Sequence, residues 1–303
     1  MSLITIAKMT EDQAREHLES LRWPEGPVCP HCECGDRVYA LLGKSHRKGL
    51  YKCGACRKQF TVTVGTVMHR SKISLQKWIM AFHLICSSKK GISALQLQRN
   101  LDLGSYQTAW HMAHRIRSAM QEEPMAELLQ GTVEVDETYV GGKSRKGVKG
   151  RGSERKTPVL VLVERDGRAR SHKVERVNAK ELKGAIREQV DPQARIMTDE
   201  WRSYRGIGKE FAGGHETVNH GSGEYSRGDV NTNSAESYFA LLKRGVHGTF
   251  HSVSKKHLDR YCGEFAFRWS QRKVSDGERA QAAMKRVGGK RLEYKELVQL
   301  AKG

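Results

Sequence analysis

GTVEVDETYVGGK (residues 131–143) combines a strand pattern with an unusual number of acids. Two valines alternate with Glu134 and Asp136, and alternation with a period of two is typical of a β-strand with one buried face. Strands are depleted in acidic residues, yet Glu137 adds a third carboxylate within the same four positions. Buried carboxylates are tolerated where they coordinate a cation, so this stretch predicts a strand that contributes to a metal site.

The chain as a whole is strongly basic. Its 303 residues include 53 Lys and Arg against 34 Asp and Glu, a formal net charge of +19. Nucleic acid is the commonest polyanionic partner of such a protein, and a generally basic, well-solvated surface is the alternative. No apolar run of about 18 residues and no charged-then-apolar leader occurs, so we expect a cytoplasmic protein with no membrane partner.

Two CxxC knuckles, CPHC and CGAC, are separated by 20 residues in the N-terminal third. Paired thiolates at this spacing suit tetrahedral zinc, and two copies disfavour a redox CxxC. The intervening stretch predicts two short strands around a glycine-containing turn, which completes a zinc ribbon. His31 and Cys34 break the symmetry of the two knuckles and are not expected to be ligands. The predicted ligands of a structural Zn²⁺ are Cys29, Cys32, Cys53 and Cys56.

Two short helical patterns follow the ribbon, separated by a turn at Leu103-Gly104. Ser105 is placed to cap the second helix. The arrangement predicts a helix-turn-helix that presents its second helix to DNA, and a helical hairpin used as plain scaffolding is the alternative. The residues expected on the exposed faces of the second helix are Tyr106, Gln107, His111, His114 and Arg115.

The second half of the chain continues from the acid-bearing strand with a basic loop and a hairpin that turns at Arg165-Asp166-Gly167. An amphipathic helix at 179–190 comes next, and a short strand then stops at Asp199. A last helical pattern begins at about Ser234 and carries another acid. Acids are therefore expected on a first strand, at a later strand end and on a helix.

This order of elements resembles the RNase-H-like fold of the DDE transposase and integrase superfamily. The resemblance is closest to bacterial insertion-sequence transposases with an N-terminal zinc ribbon, the ISXO-two-like group. It covers nearly the whole chain and is carried by VEVDETYVGG, MTDEWRSY, VNHGSGEYSRGDVNTNSAESYFALLKRGVHGTFHSVSKKHLDRY and EFAFRW.

The resemblance and the patterns together predict an α+β multidomain chain of five segments. They are a helical lead-in at 1–28, a zinc ribbon at 29–70, a helix-turn-helix-like helical DNA-binding region at 71–125, an RNase-H-like α/β catalytic domain with a mixed sheet at 126–275, and a helical tail at 276–303. The tail is expected to be peripheral.

The resemblance implies that Asp136 and Asp199 are the first two carboxylates of the catalytic site. The third position is Glu or Asn in this group, with a Lys after it. Glu236 is our choice for the acid, with Asn233 as a supporting or substitute ligand. Lys243, two helical turns beyond Glu236 and on the same face, would contact phosphate near the cleaved end.

Phosphodiester cleavage and strand transfer need an in-line oxygen nucleophile and a stabilised 3′-oxygen. Two divalent metals about 3.5–4 Å apart can supply both, and Mg²⁺ prefers carboxylate oxygens. We therefore expect Mg²⁺ or Mn²⁺ at Asp136, Asp199 and Glu236. A strand-end or turn-capping role is the alternative for the two aspartates.

Other acids and bases receive simpler roles. Glu134 and Glu137 are expected to form salt bridges with Arg or Lys, and Glu200 is expected to face solvent. His220 lies in the polar loop before the last catalytic helix, where it is a candidate for the active site or a loop histidine with local partners. Further expected contacts to DNA are Lys143, Arg145, Lys146, Arg227 and Arg244.

The predicted function is that of an insertion-sequence DNA transposase, which binds the element ends, cuts them and joins the 3′-hydroxyls to target DNA. Paired ends need two active sites, so we expect a homodimer or larger assembly on double-stranded DNA, associated with the bacterial nucleoid. The alternatives are a zinc-ribbon DNA-binding regulator derived from a transposase and a structure-selective RNase-H-like nuclease that cuts without joining.

Overall fold

The computed structural model describes residues 1–122, 127–141, 156–224 and 226–299. The chain divides into two units. The first comprises Met1–Met120 together with the chain from Val274 onward, and the second comprises Gln121–Lys273. No helix among the described residues is long and apolar enough to span a bilayer.

The N-terminal part of the first unit consists of short helices around a small three-stranded sheet. Its elements are α1 (Leu3–Ala7), α2 (Glu11–Arg22), β1 (Val38–Ala40), β2 (Tyr51–Cys53), β3 (Gln59–Phe60), α3 (Leu75–Ser87), α4 (Ala94–Asn100) and α5 (Tyr106–Met120). The three strands pair antiparallel in the order β1-β2-β3. The two strands expected between the cysteine knuckles are therefore confirmed, and β3 adds a third. Trp23 packs edge-on against Tyr51 and Phe60 beneath this sheet.

The second unit is built on a five-stranded mixed sheet. Its elements are β4 (Thr132–Val140), β5 (Thr157–Glu164), β6 (Ala169–Lys173), α6 (Ala179–Gln189), β7 (Arg195–Asp199), β8 (His215–Val218), α7 (Asn233–Gly245) and α8 (Leu258–Ser270). The strand order is β6-β5-β4-β7-β8; β4 pairs antiparallel with β5 and parallel with β7. This is the mixed α/β sheet expected of an RNase-H-like domain. The predicted hairpin is confirmed, whereas β8 was not predicted.

Each face of this sheet has its own core. Val133 and Val135 of β4 pack on one face with α6 residues such as Ile186. The other face packs against α7 and α8, where Tyr238 and Phe265 are fully buried. The alternation seen in the β4 sequence therefore places Val133 and Val135 on one face of the sheet and Glu134 and Asp136 on the other.

The C-terminal tail belongs to the first unit. Its helices are α9 (Asp276–Lys285) and α10 (Tyr294–Val298), and α9 packs against α3. Ala283 and Met284 of α9 are buried, and the Gly289 N–H donates to the Gly65 carbonyl oxygen at 2.9 Å. The expectation of a peripheral tail was wrong, because small apolar side chains on α9 complete the core around α3. The five segment boundaries themselves stay predictions.

Candidate active site and zinc centre

The four predicted thiolates converge in the ribbon. The sulfur atoms of Cys29, Cys32, Cys53 and Cys56 all lie within 4.8 Å of one another. The Cys29–Cys56 and Cys32–Cys53 pairs have their Sγ atoms 3.6 Å apart, far beyond a disulfide bond. Tetrahedral zinc with bonds of about 2.3 Å needs sulfurs about 3.8 Å apart, so the group fits this metal.

The surroundings of the cysteine group agree with that assignment. Cys34 is half-buried, and neither it nor His31 belongs to this group of four sulfur ligands. The backbone N–H of Cys56 lowers the pKa of the Cys53 thiol, whereas the pKa values of the Cys29 and Cys32 thiols are raised, for Cys29 mainly by burial. The geometry of the four sulfurs is therefore what supports a metal here. The four cysteines could therefore hold a structural zinc ion.

The two predicted catalytic aspartates lie on neighbouring parallel strands. Glu134 of β4 pairs in register with Met197 of β7. Asp136 and Asp199 each follow two residues later, and the negative charge of Asp199 acts on Asp136, so the two side chains lie near each other. Adjacent strands are about 4.8 Å apart, which brings the two side chains to one place on the sheet. Glu236 lies in the first turn of α7, on the solvent-exposed side of that helix.

Negative charge accumulates around Asp136. Burial, followed by the negative charges of Glu137, Asp199 and Glu236, raises the pKa of Asp136 from its ordinary value of 3.8 to about 8. The backbone N–H of Glu137 donates to Asp136 Oδ1 at 2.7 Å and opposes this effect. A divalent cation among these carboxylates would favour their ionised forms.

Asp199 also organises the chain that follows β7. Its Oδ1 accepts a hydrogen bond from the Trp201 N–H at 3.0 Å, so the turn-capping role considered for this residue is present. Glu200 is exposed, as expected, and accepts a hydrogen bond from the Gly221 N–H at 3.3 Å. The cap fixes the orientation of the Asp199 carboxylate at the strand end.

Glu134 joins the strand to the helix of the site. It is fully buried, and its Oε1 accepts a hydrogen bond from Arg165 Nε at 2.7 Å, which confirms the expected salt bridge. Its Oε2 accepts hydrogen bonds from the N–H groups of Ser234 and Ala235, at 2.7 and 3.1 Å. Thr232, the N-cap residue of α7, makes no side-chain capping bond, so a carboxylate distant in sequence caps this helix.

Arg165 extends this junction to β7. Its Nη2 donates to the Asn231 carbonyl oxygen at 3.1 Å and lies 3.0 Å from Met197 Sδ. The Glu134–Arg165 pair therefore contacts the three elements that carry Asp136, Asp199 and Glu236. The sequence predicted a basic partner for Glu134 but did not identify Arg165, and it did not predict that Glu134 caps α7. No sequence signal indicated this role, because Thr232 is an ordinary N-cap residue type and only the structure shows that its side chain does not cap α7.

Replacing Glu134 by glutamine should destabilise the second unit by about 2–4 kcal/mol, because it leaves a partly buried Arg165 without its carboxylate. Glu175→Gln is a matched control in the same unit, since Glu175 pairs with Lys255 at 2.6 Å while both side chains are more than half exposed. That substitution should cost less than about 1 kcal/mol. Chemical denaturation of both variants measures the difference, and equal losses would contradict the role given to Glu134.

Glu137 has a partner that the sequence analysis did not foresee. Its side chain is on the same face of β4 as the apolar core, and its Oε2 accepts a hydrogen bond from the Tyr204 hydroxyl at 2.8 Å. Burial and the charge of Glu137 raise the pKa of Tyr204 well above its ordinary value, so the hydroxyl stays a donor. Sequence patterns could not find this contact because the two residues are far apart in the chain.

The raised pKa of Asp136 makes stability depend on pH. In the folded protein its carboxyl holds a proton up to about pH 8, whereas in the unfolded chain it has its ordinary pKa of 3.8. The stability that it contributes is therefore complete below pH 4 and is lost as pH rises toward 8, by at most about 1.4 kcal/mol per pH unit. In magnesium-free buffer, Asp136→Asn should unfold at higher temperature than wild type at pH 8 and similarly at pH 4.

The control for this prediction is Asp166→Asn. Asp166 is an exposed residue of the β5–β6 turn with φ of +57°, a conformation that asparagine tolerates. Its difference from wild type should not change with pH. A difference between wild type and Asp136→Asn that stays constant from pH 4 to 8 would contradict the electrostatic environment described for Asp136.

The helix-turn-helix residues divide into exposed and buried ones. Ser105 caps α5 through the Thr108 N–H at 3.1 Å, as predicted, and Tyr106 and Gln107 are exposed at the start of this helix. His114 and Arg115 are buried, so their expected exposure was wrong. Most of α5 after its first turn packs inside the unit, where its remaining length supports the fold.

His111, the remaining predicted DNA contact on α5, is half-buried, and its Nε2 lies 3.2 Å from the Leu292 carbonyl oxygen of the C-terminal tail.

The other predicted contacts to DNA and metal lie in the second half of the chain. Asn233 and Lys243 are exposed on α7, and the Lys243 ammonium lies 5.9 Å from the centre of the Phe239 ring. Arg227 and Arg244 are exposed as well. Lys143, Arg145 and Lys146 lie outside the described residues, and so does the side chain of His220.

Comparison with known proteins extends these observations. The chain matches an ISXO2-like transposase domain over residues 128–270 and a transposase zinc-ribbon domain over residues 9–59. It is also 30% identical over 276 residues to an uncharacterised protein in the transposable element ISH50 of Halobacterium salinarum. That alignment covers 86% of this chain and 91% of the other.

Similarity to solved structures is weak. A chain of the complex between the simian T-cell lymphotropic virus intasome and PP2A regulatory subunit B56 gamma is 13% identical, with a TM-score of 0.31 over 65% of this chain and 73% of its own. The Mos1 strand transfer complex is 14% identical, with a TM-score of 0.22 over 66% and 78%. These scores are too low to establish a relationship. The two domain matches and the ISH50 relative, which aligns over most of both chains, establish the family instead. The chain belongs to the ISXO2-like family of insertion-sequence transposases.

Proposed function

We propose that this transposase cuts the ends of its element and joins their 3′-hydroxyls to target DNA at a centre formed by Asp136, Asp199 and Glu236. The observation that carries the proposal is the adjacent placement of Asp136 and Asp199 on parallel strands, with the negative charge of Glu236 acting on Asp136. Hard carboxylate oxygens of this kind suit Mg²⁺ or Mn²⁺. When bound there, the metal would activate the attacking oxygen and stabilise the departing one.

The chain's own residues prepare this centre. Asp136 must lose its proton to act as a ligand, and Asp199 is oriented by the Trp201 N–H. The Glu134–Arg165 pair holds the start of α7 against β4 and so fixes the helix that carries Glu236. Lys243, two turns further along α7, is placed to contact a phosphate of the bound strand, and Asn233 is a supporting ligand.

We assign DNA binding to the first unit and to exposed basic residues of the second. The exposed start of α5, with Tyr106 and Gln107, has the position from which helix-turn-helix proteins contact base edges. Arg227 and Arg244 are accessible for phosphate contacts in the second unit. Because two element ends must be processed together, we propose a homodimer or larger assembly on double-stranded DNA, acting at the nucleoid.

A cellular mobility assay tests this function. The DNA that flanks the gene is placed around a selectable marker, and either wild-type protein or Asp136→Ala is supplied separately. Movement of the marker to new sites with wild type alone supports transposition through Asp136. Preserved DNA binding without movement for either protein favours the regulator, and cleavage without joining favours the nuclease.

A further inference from the structure

A basic cavity of about 360 Å³ lies in the first unit, between the segment that leads into α3, the start of α5 and the C-terminal tail. Four cationic side chains line it: Arg70, Lys72, Arg115 and Arg291. Glu293 is the one acid among the described residues that line it, and it already pairs with Arg291 at 2.5 Å and Lys295 at 3.0 Å. The cavity therefore carries an excess of positive charge.

The deepest cation lacks a complete set of partners. Arg115 is 7% exposed, and the structure describes no hydrogen-bond partner for its Nε. One guanidinium nitrogen donates to the His69 carbonyl oxygen at 2.5 Å, and the group lies 5.4 Å from the centre of the Trp78 ring. A buried, charged donor without an acceptor is costly and points to a ligand that supplies the acceptor.

The electrostatics of the cavity also favour an anion. Burial, followed by the positive charge of Arg291, lowers the pKa of Arg115 to about 10, so the group remains charged at neutral pH. Burial and the charges of Arg291, Arg70 and Arg115 lower the pKa of His69. Cations that repel one another in this way gain stability when an anion binds among them.

We propose that this cavity binds a phosphate group of the DNA backbone. Guanidinium groups form paired hydrogen bonds with phosphate, and Arg115 and Arg291 both line the cavity. The inference rests on the proposed function, because the basic chain then has DNA as its partner. A phosphate bound here would hold the duplex beside Tyr106 and Gln107 at the exposed start of α5.

The C-terminal tail becomes part of the DNA-binding unit in this arrangement. Tyr294 packs edge-on against Trp110 and His111 of α5, and the Leu292 carbonyl oxygen contacts His111. These contacts fix Arg291 at the edge of the cavity. A segment that follows the catalytic domain in sequence therefore contributes a wall of the phosphate site.

The test compares Arg291→Gln and Arg70→Gln with Arg99→Gln in the full-length protein. Arg70, Arg291 and Arg99 are all exposed in the first unit, and Arg99 lies outside the cavity. The probe is a duplex of the element's end, measured by fluorescence anisotropy over a range of salt concentrations. Each cavity variant should bind about 5- to 20-fold more weakly and lose about one unit of salt slope, whereas Arg99→Gln should match wild type.

Two results would overturn the proposal. Cavity variants with the affinity and salt slope of Arg99→Gln would show that no DNA phosphate occupies the cavity. Binding of dTMP or inorganic phosphate that is lost in the variants, with duplex affinity unchanged, would assign the site to a free phosphate ligand. Failure of the metal centre is distinguishable, since it would appear as retained cleavage in Asp199→Asn with no change in these affinities.

Discussion

Replacing Asp199 by asparagine is expected to lower the rate of element-end cleavage at least about 1000-fold, while DNA affinity stays at the wild-type level. The substitution keeps the size of the side chain and its acceptor for the Trp201 N–H, but it removes a negative charge from the metal centre that we propose at Asp136 and Asp199. A loss of this size corresponds to about 4 kcal/mol of transition-state stabilisation, which is within the contribution of a metal centre.

The neighbouring acid provides a matched control. Glu200 is adjacent in sequence but exposed, so Glu200→Gln should retain cleavage within about 3-fold of wild type. Both variants are assayed on a labelled end duplex with Mg²⁺ and with Mn²⁺, beside a binding measurement at the same salt. Equal cleavage by Asp199→Asn and wild type would remove Asp199 from the metal centre.

Cys53→Ser is expected to release zinc and unfold the ribbon. The strands β1, β2 and β3 contain two or three residues each, too few to hold a sheet without a cross-link. Beneath them the core is small, formed mainly by Trp23, Tyr51 and Phe60. Structural zinc in such small domains contributes about 10–16 kcal/mol of apparent binding free energy, which is also folding free energy.

Zinc content after dialysis and protease sensitivity between the knuckles measure this effect. Cys34→Ser is the control, because Cys34 lies within the same segment but outside the thiolate group. It should retain one zinc per chain and resist protease like wild type. If Cys53→Ser held as much zinc as Cys34→Ser, the assignment of the four ligands would be wrong.

Local sequence patterns predicted a large part of this structure. The β4 alternation, the hairpin at Asp166, the α6 helix and the start of α7 all depend on neighbours within a few residues, and the structure contains each of them. The two CxxC turns are likewise local, and their spacing along the chain is what predicts four thiolates around one zinc ion. The salt bridge of Glu134 was predictable because a buried carboxylate needs a partner.

Burial across the chain was not predictable from these patterns. Arg115 and His114 have the helical positions of surface residues, yet α3 and the tail cover α5. The tail itself has an ordinary amphipathic sequence, and nothing local indicates that α9 packs against a helix about 190 residues earlier. Pairings of this kind depend on the complementarity of distant surfaces, which a periodic pattern does not encode.

The sequence by itself therefore determined the chemistry of this protein: four thiolates at ribbon spacing, carboxylates on a strand, at a strand end and on a helix, and a strongly basic surface. The tertiary structure alone decided how that chemistry is supported. Glu134 caps α7 because the sheet brings β4 to the start of this helix, and Arg291 reaches the cavity because the tail returns to the first unit. The side chains that can bind a metal or DNA follow from residue type and spacing in the sequence. The contacts that hold those side chains in position arise from packing between residues far apart in the chain.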